Sequence, residues 1–201
     1  MMNSAGFLFS TWLRFFFLFT PFFALTMFLS MTQSYTEAER KKLSIQVCVA
    51  VFIVCMALFF FGNIVFSVFG ITLDAFRVGA GVLLFLSAVN LVQAKDMPPA
   101  STSDEDISVV PLAIPIVVGP ATVGALLVFG GEMPDTAHRM TGLISLIFAV
   151  ISLGIVLLLG SAIERIAGKR GLVILSKITG LILAALAAQM IMMGIQHFFS
   201  P

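Results

Sequence analysis

The sequence predicts an all-α membrane protein whose six transmembrane helices form two inverted three-helix repeats. Three observations carry that expectation. The 201-residue chain is 60% apolar and only 10% charged, against the roughly 25% charged of an ordinary soluble domain. It holds six apolar stretches near the roughly 20 residues that a membrane-spanning helix needs, and little chain besides. Its halves share breaking, capping and charged residues at a fixed spacing of 99 positions. No room remains for a soluble domain, so the chain reads as a single integral membrane domain, 1–201. A net charge of +1 with no Lys/Arg run gives no footprint for nucleic acid.

The first stretch, about 7–31, is too long for a signal peptide. Arg14 interrupts it and no small-x-small cleavage site follows, so it is read as a retained helix. Gln33 to Lys42 is a polar connection in which Thr36 and Glu39 have the spacing of a capping box opening the next helix. The second stretch, about 44–69, contains Cys48 and Cys55. Seven helical residues set these roughly 10 Å apart, beyond disulfide reach, and both are read as packing residues. The third stretch is about 76–94. Lys95 to Asp106 is the longest connection, with Pro98, Pro99 and the Ser/Thr/acid composition of a loop. Stretches four to six are about 107–131, 142–163 and 172–196. Repeat one is thus about 7–94, the acidic loop 95–106, and repeat two about 107–196.

Loops rich in Lys and Arg tend to stay cytoplasmic. Arg40, Lys41, Lys42, Lys95, Arg165, Lys169 and Arg170 all fall on one side, and the other has Arg139, with Arg77 and Arg14 near helix ends. Both termini are therefore expected to face away from the cytoplasm, which in a bacterium means the periplasm, with the acidic loop inside.

At a spacing of 99, Pro21 matches Pro120, Ala38 matches Ala137, Arg40 matches Arg139, and the cap candidates Thr36 and Asp135 match each other. Without a gap the same spacing pairs Gly81 with Gly180, Leu84 with Leu183, and Asn90 with Gln189; a spacing of 100 pairs Arg77 with Lys177. A unit of three helices crosses the membrane an odd number of times, so a second copy must be inverted. Inverted repeats are a common secondary-transporter architecture.

Pro21 interrupts the middle of the first stretch, and Gly119-Pro120 the middle of the fourth, which also carries Pro111, Pro115 and Gly124. Proline removes a donor and frees an upstream carbonyl, which in hydrocarbon must be satisfied by protein or water. In transporters such breaks aim positive half-helix ends at anionic groups while freed carbonyls coordinate cations. Thr20, Thr26 and Thr122 could add hydroxyls to such a site. The plainer meaning is a kink repaired by threonine.

At these residues the chain resembles the MarC family of bacterial inner-membrane proteins. The resemblance rests on Phe28-Leu-Ser-Met with Thr36-Glu-Ala-Glu-Arg40, on Phe69-Gly-Ile-Thr-Leu-Asp-Ala-Phe-Arg77-Val-Gly-Ala-Gly81, on Val110-Pro-Leu-Ala-Ile-Pro115 with Gly119-Pro120, and on Lys177-Ile-Thr-Gly180 with Gln189 and Gly194. It implies a six-helix inner-membrane protein distantly related to LysE-type amino-acid and metabolite exporters, without implying a substrate. Two departures stand out. The family usually has Asn-Pro-(Leu/Val)-Gly where this chain has Thr20-Pro21-Phe22-Phe23, and Gly-Pro-Gly where it has Gly119-Pro120-Ala121. The first loses an amide and a glycine, so ligand choice here is expected to differ if that amide touches a ligand in relatives. Drug efflux is not assigned.

The interiors of the six stretches contain no Asp or Glu, which argues against a carboxylate proton relay. Arg14 beside Trp12 reads as an interfacial anchor. Arg77 and Lys177 are candidate gate charges, with snorkelling to the interface the plainer expectation. Asn90 and Gln189 read either as interhelical hydrogen bonds or as pathway-lining groups. Gly180, Ala184 and Ala188 suggest a seam of close helix approach, while Met190, Met192, Met193 and Phe15 to Phe17 read as packing. The two histidines, His138 and His197, sit at interfaces, and no Ser/His pair, aspartate pair or metal-ligand spacing falls within the membrane. No catalytic residue, metal, cofactor or enzyme activity is expected.

The leading expectation is a secondary transporter or exporter of a small, amino-acid-like polar metabolite. Its pathway is expected at Thr20, Pro21, Pro115, Gly119, Pro120 and Thr122, with Asn90 or Gln189, in a water-accessible midplane cavity. The alternative is a non-transporting scaffold with a dry core, binding a protein or lipid partner. A duplicated bundle could act as a monomer or a homo-oligomer.

Overall fold

The computed structural model describes residues 4–93, 117–132 and 135–199 and is all-helical there. The helices are α1 (Ser4–Leu18), α2 (Pro21–Met31), α3 (Glu37–Phe69), α4 (Leu73–Gln93), α5 (Pro120–Gly131), α6 (Thr136–Leu158) and α7 (Gly160–Phe199). Five helical stretches are long and apolar enough to cross a membrane: Gly6–Met31, Glu37–Phe61, Leu73–Gln93, Thr136–Leu158 and Gly160–Phe199. Pro120–Gly131 is a shorter apolar helix. The remainder of the expected fourth span, Pro111 and Pro115 included, and the acidic loop lie outside the described residues.

Capping explains where the boundaries depart from the hydropathy reading. α3 begins at Glu37, seven residues before the apolar run, because Thr36 accepts from the Glu39 amide while the Glu39 carboxylate accepts from the Thr36 amide at 2.8 Å. That reciprocal arrangement satisfies two first-turn donors. Asp135 caps α6 from one side only, its carboxylate accepting from His138 N at 2.8 Å. The hydrogen bonds from the His138 backbone and ring hold the Asp135 carboxyl below its ordinary pKa. A depressed folded-state value means that the cap's contribution is present at neutral pH and is lost as pH falls through that value. The stretch from Gly160 is two helical pieces meeting at Gly168, whose backbone is non-helical (φ 68°, ψ 168°), and the span that hydropathy starts near 172 lies in the second piece.

Packing follows an antiparallel α4–α7 pair flanked by the others. α1 lies against α6, α3 against α5 and α6, α5 against α4, and α2 against α7. Close approach in the α4–α7 pair comes from glycine. A Cβ on Gly81 would meet the Ala187 carbonyl oxygen at 3.1 Å, and one on Gly180 the Ala88 carbonyl oxygen at 3.0 Å. One on Gly194 would meet the Asp74 carbonyl oxygen at 2.9 Å. The buried seam of α7 is therefore Gly180, Ala187 and Gly194. The expected continuation through Ala184 and Ala188 is corrected, since Ala188 is exposed. Side chains seven apart stay on one face as the helices wrap, whereas steps of four rotate away.

The core is apolar, with Phe15, Phe19, Leu25, Leu126, Leu146 and Leu153 fully buried. Ile45, Val49, Ile53 and Phe60 of α3 and Phe148, Ile151 and Ile155 of α6 are exposed instead. Such outward apolar faces are what a hydrocarbon solvent demands of a bundle surface. Cys48 and Cys55 are free, half-buried and buried.

Candidate functional site

The first break falls between α1 and α2. Pro21 has no amide to continue the helix, so the chain turns through Thr20 in the left-handed region (φ 47°, ψ 56°). The Thr20 amide closes a tight turn on the Phe17 carbonyl at 2.9 Å, and the Thr20 carbonyl restarts the ladder by accepting from Ala24 at 2.9 Å. At the second break Gly119 is extended (φ −79°, ψ 176°) and Pro120 opens α5. Neither new helix has a side-chain cap. The amides of their first turns, Phe22 and Phe23 of α2 and Ala121 and Thr122 of α5, are thus left to the break regions.

Thr122 brings the two breaks together. It is 5% exposed, and its hydroxyl lies 3.2 Å from the Val117 carbonyl oxygen and 3.5 Å from the Leu18 carbonyl oxygen, at the end of α1. A hydroxyl has one proton to give, so it serves Val117 and leaves Leu18 the weaker share. Two carbonyls, one from each break, converge on one side chain inside a low-dielectric core. Thr26, by contrast, spends its hydroxyl on Phe22 O of its own helix at 2.9 Å. Thr122 is packed and hydrogen-bonded, not lining open space. Pro21 is buried, Thr20 and Gly119 half-buried and Pro120 exposed.

The remaining sequence candidates fall elsewhere. Asn90, Gln189 and Lys177 are exposed on the outer faces of α4 and α7, and Gln189 reaches only Met193 Sδ, at 3.9 Å within its own helix. They do not join the breaks. These helices are apolar on nearly every face, so depth was legible and facing direction was not. Pro115 lies outside the described residues.

Arg77 behaves differently from the snorkelling expected of it. It is 4% exposed, and its guanidinium donates to Glu132 Oε1 (2.8 Å from Nε, 2.7 Å from NH2) and to Asp74 Oδ1 (2.6 Å from NH1). NH1 also lies 3.0 Å from His197 Nδ1. A guanidinium only donates, so in this contact the ring nitrogen is the acceptor; Nδ1 also lies 3.5 Å from Asp74 Oδ1. This cluster ties the start of α4 to the ends of α5 and α7, joining the two halves of the chain at one end of the bundle. Glu132 and His197 were missed as partners because they lie 55 and 120 residues from Arg77. The available signal was topological, since all three sit at span ends expected on one membrane face.

Thr20 is the non-glycine residue with positive φ among the described residues. A β-branched side chain is costly there, whereas Asn tolerates that region. An asparagine at this position would relieve that backbone cost. Thr20→Asn is expected to stabilise the protein by about 1 kcal/mol, read as a rise in unfolding temperature. A fall would show that the Thr20 hydroxyl has a role the backbone does not reveal.

The sequence comparisons place the chain among integral membrane proteins. The sequence model for "MarC family integral membrane protein" matches residues 5–199. A UPF0056 membrane protein of Methanocaldococcus jannaschii is 33% identical over 188 residues, covering 88% of this chain and 89% of its own. YvbG of Bacillus subtilis, a UPF0056 membrane protein, is 34% identical over 182 residues, 86% of each chain. YhcE of Escherichia coli is 27% identical over 188 residues, 89% of this chain and 87% of its own. No solved structure matches. With the family pattern running through both helix breaks and along nearly its whole length, the chain belongs to the MarC family of integral membrane proteins.

Proposed function

We propose that this chain is a non-enzymatic secondary transporter or exporter of a small zwitterionic metabolite, amino-acid-like in charge pattern, moved by alternating access past the paired helix breaks. The observation that carries the reading is the convergence of the Leu18 and Val117 carbonyls on Thr122. Carbonyl oxygens there suit an ammonium group, and the uncapped starts of α2 and α5 suit a carboxylate, each helix start carrying roughly half a positive charge. In this conformation Thr122 occupies the place that the ammonium would take.

Inverted repetition supports the same reading. Exchanging residues by 99 positions turns the Gly81–Ala187 approach into the Gly180–Ala88 approach, and Thr36 capping α3 into Asp135 capping α6. It also turns the α2–α7 pairing into α5–α4, and α2–α6 into α5–α3. Two halves related in this way can rock about a shared centre. The Arg77–Asp74–Glu132–His197 cluster then closes one end as a gate. By the loop-charge rule that end is extracytoplasmic, with both termini beside it, and the host membrane is the cytoplasmic one.

The reading is tested by thermal unfolding of the purified protein against amino acids and related zwitterions. Bound ligand adds RT ln(1 + [L]/Kd) of stability, about 2.7 kcal/mol at a hundredfold excess over Kd. A shift with one ligand class, abolished in Thr122→Leu, is expected. Equal unfolding temperatures across the panel, with transport-inactive proteoliposomes, would favour a scaffold with a dry core.

A further inference from the structure

At the opposite end from the Arg77 cluster, a crevice of about 270 Å³ opens where the end of α2 meets the start of α3 and the α6–α7 junction. Arg40, Lys41 and Arg165 line it with the hydroxyls of Ser44 and Ser161, and Glu37 is its acidic member. The cations outnumber the acid three to one. Among the described residues none of the three forms an ion pair, whereas Arg77 and His138 at the other end are paired with carboxylates. Arg40 is held in place. Its Nε donates to the Thr32 carbonyl at 2.9 Å, NH1 to Ser161 Oγ at 3.3 Å and NH2 to the Gln33 carbonyl at 3.4 Å. Five guanidinium protons less these three leave two to offer a ligand.

The floor of the crevice is Phe28, Leu29 and Leu157, all buried. Phe28 is seven residues past Pro21, roughly 10 Å along the helix, so the crevice does not reach the breaks. One wall is apolar and outward-facing: Leu158 and Leu159 line the crevice and are 42% and 53% exposed. Beyond them Ile166, in the segment ahead of the Gly168 bend, is 88% exposed beside exposed Arg165, Lys169 and Arg170. An exposed isoleucine flanked by cations suits the boundary between acyl chains and headgroups.

We propose that this crevice is a binding site for the phosphate of an anionic phospholipid headgroup, with the acyl chains lying along Leu158 and Leu159. Fixed Arg40 supplies a planar fork to two phosphate oxygens, Lys41 and Arg165 supply flexible positive charge, and Ser161 a hydroxyl. Basic pockets between helices at the membrane surface recognise anionic headgroups by this chemistry. A soluble phosphate shares the polar half of that chemistry and lacks the apolar half. The site stands independently of the transport proposal.

The test is thermal unfolding of the full chain in detergent, titrated with phosphatidylglycerol, phosphatidylcholine or inorganic phosphate. Phosphatidylglycerol is expected to raise the unfolding temperature, with the other two near zero. The Lys41→Gln/Arg165→Gln variant is expected to bind phosphatidylglycerol roughly 30-fold more weakly, at about fivefold per cation near a membrane surface. Lys41→Arg/Arg165→Lys should keep the response. Both side chains are exposed, so the lipid-free unfolding temperatures of these variants are expected to match wild type; if the double Gln variant does not fold, Arg165→Gln alone carries the comparison. Equal shifts from the two lipids, or an undiminished response in the neutralised variant, would overturn the proposal. A response to inorganic phosphate as large as that to phosphatidylglycerol would overturn the lipid assignment in favour of a soluble anion.

Discussion

Neutralising Glu132 by Glu132→Gln is expected to lower the unfolding free energy by about 2 kcal/mol and to loosen the end of the bundle that its ion pair closes. Arg77 is 4% exposed, while Glu132 and Asp74 keep 27% and 30% of their side-chain surface. The cost therefore falls on the cation. Leaving a buried charge without its partner costs roughly 3–5 kcal/mol. Asp74 remains 2.6 Å from NH1, which holds the loss below that range. In Arg77→Met/Glu132→Gln no buried charge is left to compensate, so the double variant is expected to recover part of the loss. A coupling energy near zero in that double-mutant cycle would reduce the cluster to an accident of packing.

Among glycines 79, 81 and 130, Gly130→Ala should be the most damaging, at about 3 kcal/mol. Its Cβ would collide with the Phe59 carbonyl oxygen of α3, and the next nearest atoms are also Phe59 backbone. Backbone cannot rotate aside, so α5 and α3 must part, and overpacking of this kind typically costs about 1–3 kcal/mol, occasionally more. Gly81→Ala is milder, because the backbone atoms its Cβ would meet, Ala187 O and Ile191 N, lie farther off at 3.1 and 3.2 Å, and its nearest neighbour, Ile191 Cγ1 at 2.7 Å, is a side-chain atom. Gly79 is the control. Nothing lies within 4 Å of a Cβ there, and Gly79→Ala is expected to gain roughly 0.5–1 kcal/mol from helix propensity. Unfolding temperatures ordered Gly79→Ala, Gly81→Ala, Gly130→Ala from high to low are predicted; equal values would refute the packing account.

The apolar runs and their punctuation announced the helical membrane class, the two breaks and both caps, because hydropathy, proline and Ser/Thr/Asp capping are local properties. Arg77 was singled out, yet its burial was not foreseen, since its partners Glu132 and His197 come from other helices. Asn90 and Gln189 failed for the opposite reason. Their depth follows from counting residues, but an all-round apolar helix has no polar face to show which way it points. The αL backbone at Thr20 was likewise hidden, since a residue before proline is expected to be extended. Thr122 was singled out in the sequence, and its contact across both breaks was not.

Site-directed labelling tests, without knowledge of the substrate, whether the paired breaks form a solute pathway gated by the Arg77 cluster. Thr20→Cys would be made in a Cys48→Ala/Cys55→Ala background and exposed to a membrane-impermeant thiol reagent from each side, with and without Glu132→Gln. The account predicts slow labelling with Glu132 in place and labelling several-fold faster, from the gate side, in Glu132→Gln. An introduced thiol that stays unreactive from both sides in both backgrounds, yet reacts fully once the protein is unfolded, would contradict it.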